Sequence, residues 1–170
     1  MPGLEKAQWV EHYAKLERPL YNVVYRVIWD PSESQDVVQE AFLKCWQRRA
    51  TIHADGFRAL LFRTALNLAI SRRRRSKLWR FVGLADAADE EMPEQSCEGT
   101  LPRSVRSAIG ALPDRLSRVL LLTEFAGMTY AEVAAILGIE EGTVGSRRTR
   151  ALEILRRRLR IEQGKDDGAR

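Results

Sequence analysis

Apolar residues recur at three- and four-residue spacing through two long blocks of this 170-residue chain, and no stretch alternates as a β-strand does. In the first block Val38, Ala41, Phe42 and Cys45 form a stripe with helical period. A helix that carries such a stripe must bury it against neighbouring helices when no sheet is available. The pattern therefore predicts an all-α fold, and the stripe makes Cys45 a packed core residue.

Charge divides the chain into three parts. Residues 1–80 carry 15 basic and 8 acidic side chains, residues 81–101 carry none and 6, and residues 102–170 carry 13 and 9. The middle part loses the helical period, which predicts a flexible acidic linker at 81–101 between domains at 1–80 and 102–162, with a disordered tail at 163–170. Basic domains suit a polyanion such as nucleic acid, but solvated basic helix faces have the same composition, so both interpretations stay open.

Several classes of site are absent from the sequence. The cysteines, Cys45 and Cys97, lie far apart, as do His12 and His53, which disfavours a disulfide framework or a metal site. There is no nucleophile–base arrangement and no glycine-rich phosphate loop, so we expect no enzyme activity, no cofactor and no small-molecule substrate. No apolar run is long enough to span a membrane and no signal peptide begins the sequence, which predicts a cytoplasmic protein.

Local signals place the helix boundaries of the first domain. Asp30-Pro31-Ser32 predicts a helix start, with Ser32 and Gln35 forming a capping box. The pattern then breaks at Thr51–Gly56, which predicts a loop, and a long helix is expected from Phe57 towards Trp79.

The most specific pattern lies in the second block. Thr129 and Glu132 have the spacing of a capping box, and Gly138 stands where a helix needs a left-handed residue to end. A second helix is expected to begin near Glu141, with Val144 packing it onto the first. Pro113 marks an earlier helix start. The spacing predicts a helix-turn-helix, whose second helix enters the DNA major groove. A plain helical hairpin with a basic face is the alternative.

Two polar stripes in the first domain have helical spacing. One face of the long helix carries Arg63, Asn67, Ser71 and Arg74, with the apolar residues turned elsewhere. This face suits a phosphate backbone and unstacked bases, but a basic face that is simply solvated would have the same pattern. The preceding helix carries an acidic and amide stripe that faces away from the core and consists of Asp36, Gln39 and Glu40. This stripe is either plain surface or a docking site for a basic protein.

Three segments, taken in order, resemble a known family. DPSESQDVVQEAFLKCW (30–46), FRALLFRTALNLAISRRRR (57–75) and ALPDRLSRVLLLTEFAGMTYAEVAAILGIEEGTVGSRRTRAL (111–152) look like an extracytoplasmic-function sigma factor of bacterial RNA polymerase. The likeness covers roughly residues 8–80 and 102–160. It implies an N-terminal helical bundle and a C-terminal helix-turn-helix domain on a flexible linker, binding core polymerase and promoter DNA. It also implies a stress, envelope or metal-response regulon and control by an anti-sigma factor.

The resemblance implies a role for each stripe. Docking on the clamp helices of the largest polymerase subunit falls to Asp36, Gln39 and Glu40, while the second domain meets the flap of the second-largest subunit. The melted minus-ten element, with a base flipped into a loop pocket, is assigned to His53, Asp55, Phe57, Arg58, Arg63, Asn67, Ser71 and Arg74. The duplex minus-thirty-five element is assigned to Thr143, Gly145, Ser146, Arg147, Thr149 and Arg150.

Three positions depart from the family pattern. Gly145 stands where a lysine is usual, Ser71 replaces a common aspartate, and Glu140 occupies a turn position where serine often caps the recognition helix. The sequence is also compatible with two other functions. One is a stand-alone transcription regulator whose first block binds a ligand or forms a dimer, and the other is a basic interaction or RNA-binding module.

Overall fold

The computed structural model describes residues 6–81 and 101–166 of the chain. All regular structure within these two ranges is helical, which confirms the predicted all-α class. Residues 82–100, which make up nearly all of the predicted linker and include Cys97, lie outside the described residues, as does 167–170.

The N-terminal domain consists of α1 (Lys6–Ile28), α2 (Pro31–Gln47) and α3 (Ala54–Phe81), with a short 3₁₀ turn at Arg49–Thr51. Each of the three helices packs on the other two. The apolar stripe predicted on α2 is buried, Cys45 included, and so are the apolar faces of the other helices. The resulting core contains Leu20, Val23, Val24, Val27, Val37, Val38, Ala41, Phe42, Cys45, Leu61, Phe62, Ala65, Leu66 and Ala69.

Aromatic side chains close the end of this bundle where α3 begins. The Trp9 ring meets Trp46 and Phe57 edge-on, with ring centroids 5.1 and 4.9 Å apart. Phe57 is fully buried. The structure thus corrects its assignment to the minus-ten contacts: a ring enclosed by Trp9 and Phe42 stabilises the core and presents no edge to a nucleic acid.

The start of α2 differs from the prediction. Asp30, in extended conformation, caps the helix, and the Glu33 N–H donates to its Oδ1 at 2.6 Å. Pro31 takes the first helical position, where its fixed φ is favourable and its missing N–H costs nothing. Because the helix begins at the proline, Ser32 lies inside the first turn, and the predicted capping box of Ser32 with Gln35 is wrong.

The start of α3 also comes earlier than predicted, at Ala54 rather than near Phe57. The predicted loop at Thr51–Gly56 is therefore reduced to Ile52 and His53, between the 3₁₀ turn and the helix. Gly56 does not break the helix, because it lies in the first turn, where its N–H donates to the His53 carbonyl at 3.0 Å.

The C-terminal domain contains α4 (Arg103–Gly110), α5 (Asp114–Leu120), α6 (Tyr130–Leu137) and α7 (Glu141–Asp166), and α5 continues into one π-helical turn at Leu121–Phe125. Helix α5 begins directly after Pro113, as the position of this proline predicts. The last helix ends at Asp166, four residues inside the predicted tail at 163–170. The strong helix formers that precede Gly164 allow the helix to continue past this glycine.

The turn between α6 and α7 has the predicted helix-turn-helix geometry. Thr129 and Glu132 form a complete capping box, in which the Thr129 N–H donates to Glu132 Oε2 at 2.8 Å. Gly138 ends α6 in the left-handed conformation, at φ 66° and ψ 44°. Val144 is fully buried between the two helices. Each of these residues does locally what its type and spacing predict.

The two domains pack directly on each other. Helix α3 contacts α6, and α1 contacts the π turn that follows α5. None of the helices in residues 6–81 and 101–166 carries an apolar stretch long enough to cross a membrane.

Candidate nucleic-acid interface

The first three turns of α7 form a polar face that points away from the core. Val144 and Ala151 anchor the helix from its buried side. Ser146, Thr149 and Arg150 are exposed, and the Ser146 hydroxyl donates to the Thr143 carbonyl at 3.1 Å. All six residues predicted for the minus-thirty-five element are at least partly accessible: Thr143, Gly145, Ser146, Arg147, Thr149 and Arg150.

Tyr130 and Arg148 shape this face, although the sequence stripe did not include them. A side-chain carbon built on Gly145 would lie 3.4 Å from Tyr130 Cε2, so the ring lies directly against this position of the helix. Arg148 Nε donates to Glu124 Oε1 at 2.6 Å, which ties α7 to the π turn. That hydrogen bond lowers the pKa of Glu124 and raises the pKa of Arg148. Arg148 thus acts in the fold of its domain.

The predicted polar stripe on α3 exists as one exposed face. Arg63, Asn67, Ser71 and Arg74 all lie on the solvent side of the first domain, opposite the buried side of α3. His53 and Asp55 are exposed at the start of the same helix. The sequence prediction of one shared face is confirmed, since the helical period decides it.

The second domain contacts this face at several of its residues, which the sequence could not predict. Arg63 donates to the carbonyls of Ala135 and Ile136, at 2.8 and 2.6 Å. These carbonyls belong to the last turn of α6, where backbone acceptors are left unpaired and the helix dipole is negative. Arg63 therefore acts as a C-terminal cap for the first helix of the helix-turn-helix.

Further along α3, Asp114 at the start of α5 lies between two arginines. Its carboxylate accepts from Arg73 Nη2 through Oδ1, and from Arg74 Nη2 through Oδ2 at 2.5 Å. Next to it, Arg118 donates to Asn67 Oδ1 at 3.0 Å. Burial in this contact lowers the pKa of the Arg118 guanidinium. Asp114 and Arg118 are thus interface residues that the sequence stripes did not include.

Arg58 makes the fourth contact between the domains. Its Nη1 donates to Glu132 Oε1, while the other oxygen of Glu132 completes the capping box of α6. The backbone N–H of Thr129, more than Arg58, lowers the pKa of Glu132. One carboxylate thus serves both the helix start and the domain contact.

The predicted docking stripe on α2 is only partly free. Asp36 and Gln39 are exposed, whereas Glu40 pairs with Arg72 at 2.9 Å and with Lys44 at 3.0 Å. The hydrogen bond from Lys44, followed by that from Arg72, lowers the pKa of Glu40. Leu43 follows in the same stripe and is 55% exposed, so an apolar side chain lies at the end of the polar stripe.

The described residues offer no other obvious chemical centre. Within 6–81 and 101–166, no group of three or more metal-binding side chains lies close enough together to hold an ion. Cys45 is buried, and burial raises the pKa of its thiol, which makes it a poor nucleophile.

Family models match both domains. The model for sigma-70 region 2 matches residues 12–78, and the model for sigma-70, region 4 matches residues 103–155. The chain is 31% identical over 159 residues to the RNA polymerase sigma-H factor of Pseudomonas aeruginosa, covering 85% of this chain and 82% of that protein. It is 33% identical over 158 residues to the ECF RNA polymerase sigma factor SigL of Mycobacterium tuberculosis, covering 84% and 88%.

Two solved structures have a similar fold. CnrH in complex with the cytosolic domain of CnrY aligns with a TM-score of 0.70 and 24% identity, covering 92% of this chain and 90% of that one. RpoE in complex with the anti-sigma factor NepR, from Bartonella quintana, aligns with a TM-score of 0.68 and 23% identity, covering 89% and 96%.

Proposed function

Because the chain belongs to the extracytoplasmic-function sigma factors of bacterial RNA polymerase, we propose that its two domains divide the recognition of one promoter between them. As a sigma factor it binds core RNA polymerase and directs promoter-specific initiation of transcription. Two exposed surfaces support this division. The first turns of α7, the second helix of the helix-turn-helix, are open to solvent, and the other domain presents the polar face of α3.

The second domain reads the minus-thirty-five element as duplex. A major groove about 12 Å wide admits one helix, and the exposed turns of α7 are the part that enters it. Arg147 and Arg150 suit bidentate pairing with guanine. Ser146 and Thr149 offer hydroxyls to phosphates or base edges, and these contacts set the register of the helix on the duplex.

The first domain holds the opened strand of the minus-ten element. The proposed contacts lie on the exposed face of α3 and at its start, where guanidinium and amide groups suit phosphates and unpaired base edges. Phe57 contributes from beneath by fixing the start of the helix. The surface contacts are His53, Asp55, Arg58, Arg63, Asn67, Ser71 and Arg74.

Core polymerase docks on α2 through Asp36, Gln39 and Glu40. The basic partner is the pair of clamp helices of the largest subunit, and the flap of the second-largest subunit meets the second domain. Leu43, exposed one turn beyond the polar residues, adds an apolar contact to this surface, since protein interfaces combine an apolar part with a polar rim.

An anti-sigma factor is the proposed regulator. Two proteins of similar fold support this, since CnrH forms a complex with the cytosolic domain of CnrY, and the sigma factor RpoE forms one with the anti-sigma factor NepR. The protein acts in the cytoplasm, where its polymerase is, and carries no catalysis of its own.

Transcription with purified components tests the proposal. Fragmented genomic DNA is transcribed by core polymerase with and without the chain, and the new 5′ ends are sequenced. We expect specific start sites only when both are present. Arg147→Ala should then reduce initiation about tenfold, the value of one lost base pairing. Arg156→Ala is the matched control, because it changes an exposed arginine on the same helix beyond its first three turns. It should leave initiation unchanged.

Other outcomes would contradict the assignment. A chain that binds a specific duplex tightly without polymerase, as a dimer, is a stand-alone regulator. A chain that prefers RNA to promoter DNA and leaves initiation unchanged is an RNA-binding module.

A further inference from the structure

Tyr130 is the first residue of α6, yet its ring lies against the recognition turns of α7. We propose that the Tyr130 hydroxyl is a further DNA contact of this protein, which donates to a backbone phosphate of the minus-thirty-five element. The inference rests on the proposed function, because it needs α7 to lie in the major groove. It assigns a contact to a residue outside the recognition helix.

The first argument is the position of the ring. A side-chain carbon built on Gly145 would lie 3.4 Å from Tyr130 Cε2 and 3.9 Å from Tyr130 Cδ2. Because Cε2 is bonded to the carbon that bears the hydroxyl, the hydroxyl end of the ring is the end nearer to this point of α7. Tyr130 is nevertheless 40% exposed. The ring therefore rests on the helix while part of it stays open to solvent.

The second argument is the side of α7 on which the ring lies. Val144 marks the buried side of the helix, and the exposed Ser146 marks the side proposed to meet the bases. Gly145 lies about 100° around the helix from each of these neighbours, and so on the flank between the two sides. A helix about 10–12 Å across fills a major groove about 12 Å wide, so its flanks face the phosphate backbones that wall the groove.

The third argument is the pair of side chains that holds the hydroxyl in place. Arg148 Nε donates to Glu124 Oε1 at 2.6 Å, which fixes the guanidinium on the turn of α7 that follows Gly145. This hydrogen bond raises the pKa of Arg148, and the Tyr130 oxygen adds to the rise, so that oxygen lies beside the guanidinium. Since an arginine can only donate, the tyrosine oxygen accepts from it and keeps its own O–H for a second partner.

A phosphate is the acceptor that suits this hydroxyl. Tyrosine hydroxyls are among the side-chain groups that bond the DNA backbone, and such contacts fix the register of a protein on the duplex. The Arg148 charge beside the hydroxyl favours an anionic acceptor over a neutral base edge. Gly145 contributes no side chain to this flank, so the tyrosine of α6 is the group that reaches the groove wall there. Arg148, held by Glu124, acts as its positioning residue.

The substitution Tyr130→Phe tests this assignment, because it removes only the hydroxyl. Tyr25→Phe is the matched control, since Tyr25 is a half-buried tyrosine on α1, in the other domain. The full chain, assembled with core polymerase, is titrated onto a labelled promoter duplex identified by the initiation experiment, and fluorescence anisotropy gives the affinity. A series of duplexes then carries an uncharged methylphosphonate in place of one phosphate of the minus-thirty-five element at a time.

We expect Tyr130→Phe to bind the unmodified promoter about fivefold more weakly, the effect of one lost hydrogen bond. The slope of log affinity against log salt should stay the same, because a neutral hydroxyl releases no counterion. One methylphosphonate position should weaken binding of the wild type and of Tyr25→Phe but have little effect on Tyr130→Phe. This comparison isolates a single phosphate, so a hydroxyl with a purely structural role would not change it.

Two results would overturn the inference. One is a Tyr130→Phe variant that binds the promoter as tightly as the wild type. The other is weaker binding in which every methylphosphonate position keeps its wild-type effect, since the hydroxyl would then act through the fold alone. If either occurs while the chain directs specific initiation with core polymerase, only the Tyr130 contact fails. If the chain directs no initiation, the proposed function itself fails.

Discussion

Replacing Gly145 with lysine separates two effects that the structure places at one position. Gly145 lies inside α7, in the recognition turns, and a side-chain carbon there would meet Tyr130 at 3.4 Å, an ordinary contact distance. A Cβ atom should therefore fit, and replacing the helical glycine with a residue that has one should stabilise the protein by about 1 kcal/mol. Lysine adds a charge at the edge of the face that meets DNA.

The charge has a measurable consequence. One added phosphate contact makes log K for duplex binding fall more steeply with log salt, by about 0.9 in slope. Between about 50 and 200 mM salt, the affinity of Gly145→Lys should then fall roughly 3.5-fold more than that of the wild type. Fluorescence anisotropy of a labelled 20-base-pair duplex, titrated with the full chain at several salt concentrations, measures both slopes.

Gly145→Ala is the matched control for this variant. It should gain the same helical stability, measured by thermal unfolding, and leave the salt slope unchanged. A lysine variant whose slope equals that of the alanine variant would show that position 145 does not face the phosphate backbone. A loss of stability in both variants would instead show that the Tyr130 ring cannot tolerate a side chain beneath it.

Three further predictions concern docking, the helix turn and pH. Replacing Asp36 and Gln39 with alanine should weaken binding to core polymerase in pull-down titrations while circular dichroism shows unchanged helicity; equal binding would refute docking there. Gly138→Ala should destabilise the protein by about 1 kcal/mol because its φ is 66°, whereas Gly142→Ala, which meets no atom within 4 Å, should not; equal melting temperatures would refute the strain argument. The pKa of Glu132 is lowered from 4.5, so its contribution to stability is present above pH 4.5 and is lost as pH falls through the lowered value. The variant Glu132→Gln should therefore lose less stability than the wild type on acidification, as measured by thermal unfolding. An equal loss in both proteins would contradict this.

The structure agrees with the sequence wherever a local rule is sufficient. The capping box at Thr129, the left-handed Gly138 and the buried Val144 follow from residue type and spacing, because each acts through neighbours within one or two turns. The helical period likewise placed Arg63 and Asn67 on one face. These features would form in much the same way in any fold that kept the helices.

Predictions were wrong where two local signals competed. At the start of α2, both Asp30 and Ser32 are good caps, and the preference of Pro31 for the first helical position decided for Asp30. At the start of α3, Gly56 indicated a loop although a helix can tolerate glycine in its first turn.

Burial of Phe57 and the partners of the arginines depended on the tertiary structure. The sequence placed Phe57 next to exposed residues, and only the packing of α1 and α2 around it shows that its ring is internal. Asp114 lies 40 residues after Arg74 in sequence, and no periodicity links two groups so far apart. The sequence by itself determined which residues share a helical face, because that depends on spacing along one helix. What each face contacts was decided by how separate helices pack, since those contacts depend on the complementarity of distant surfaces.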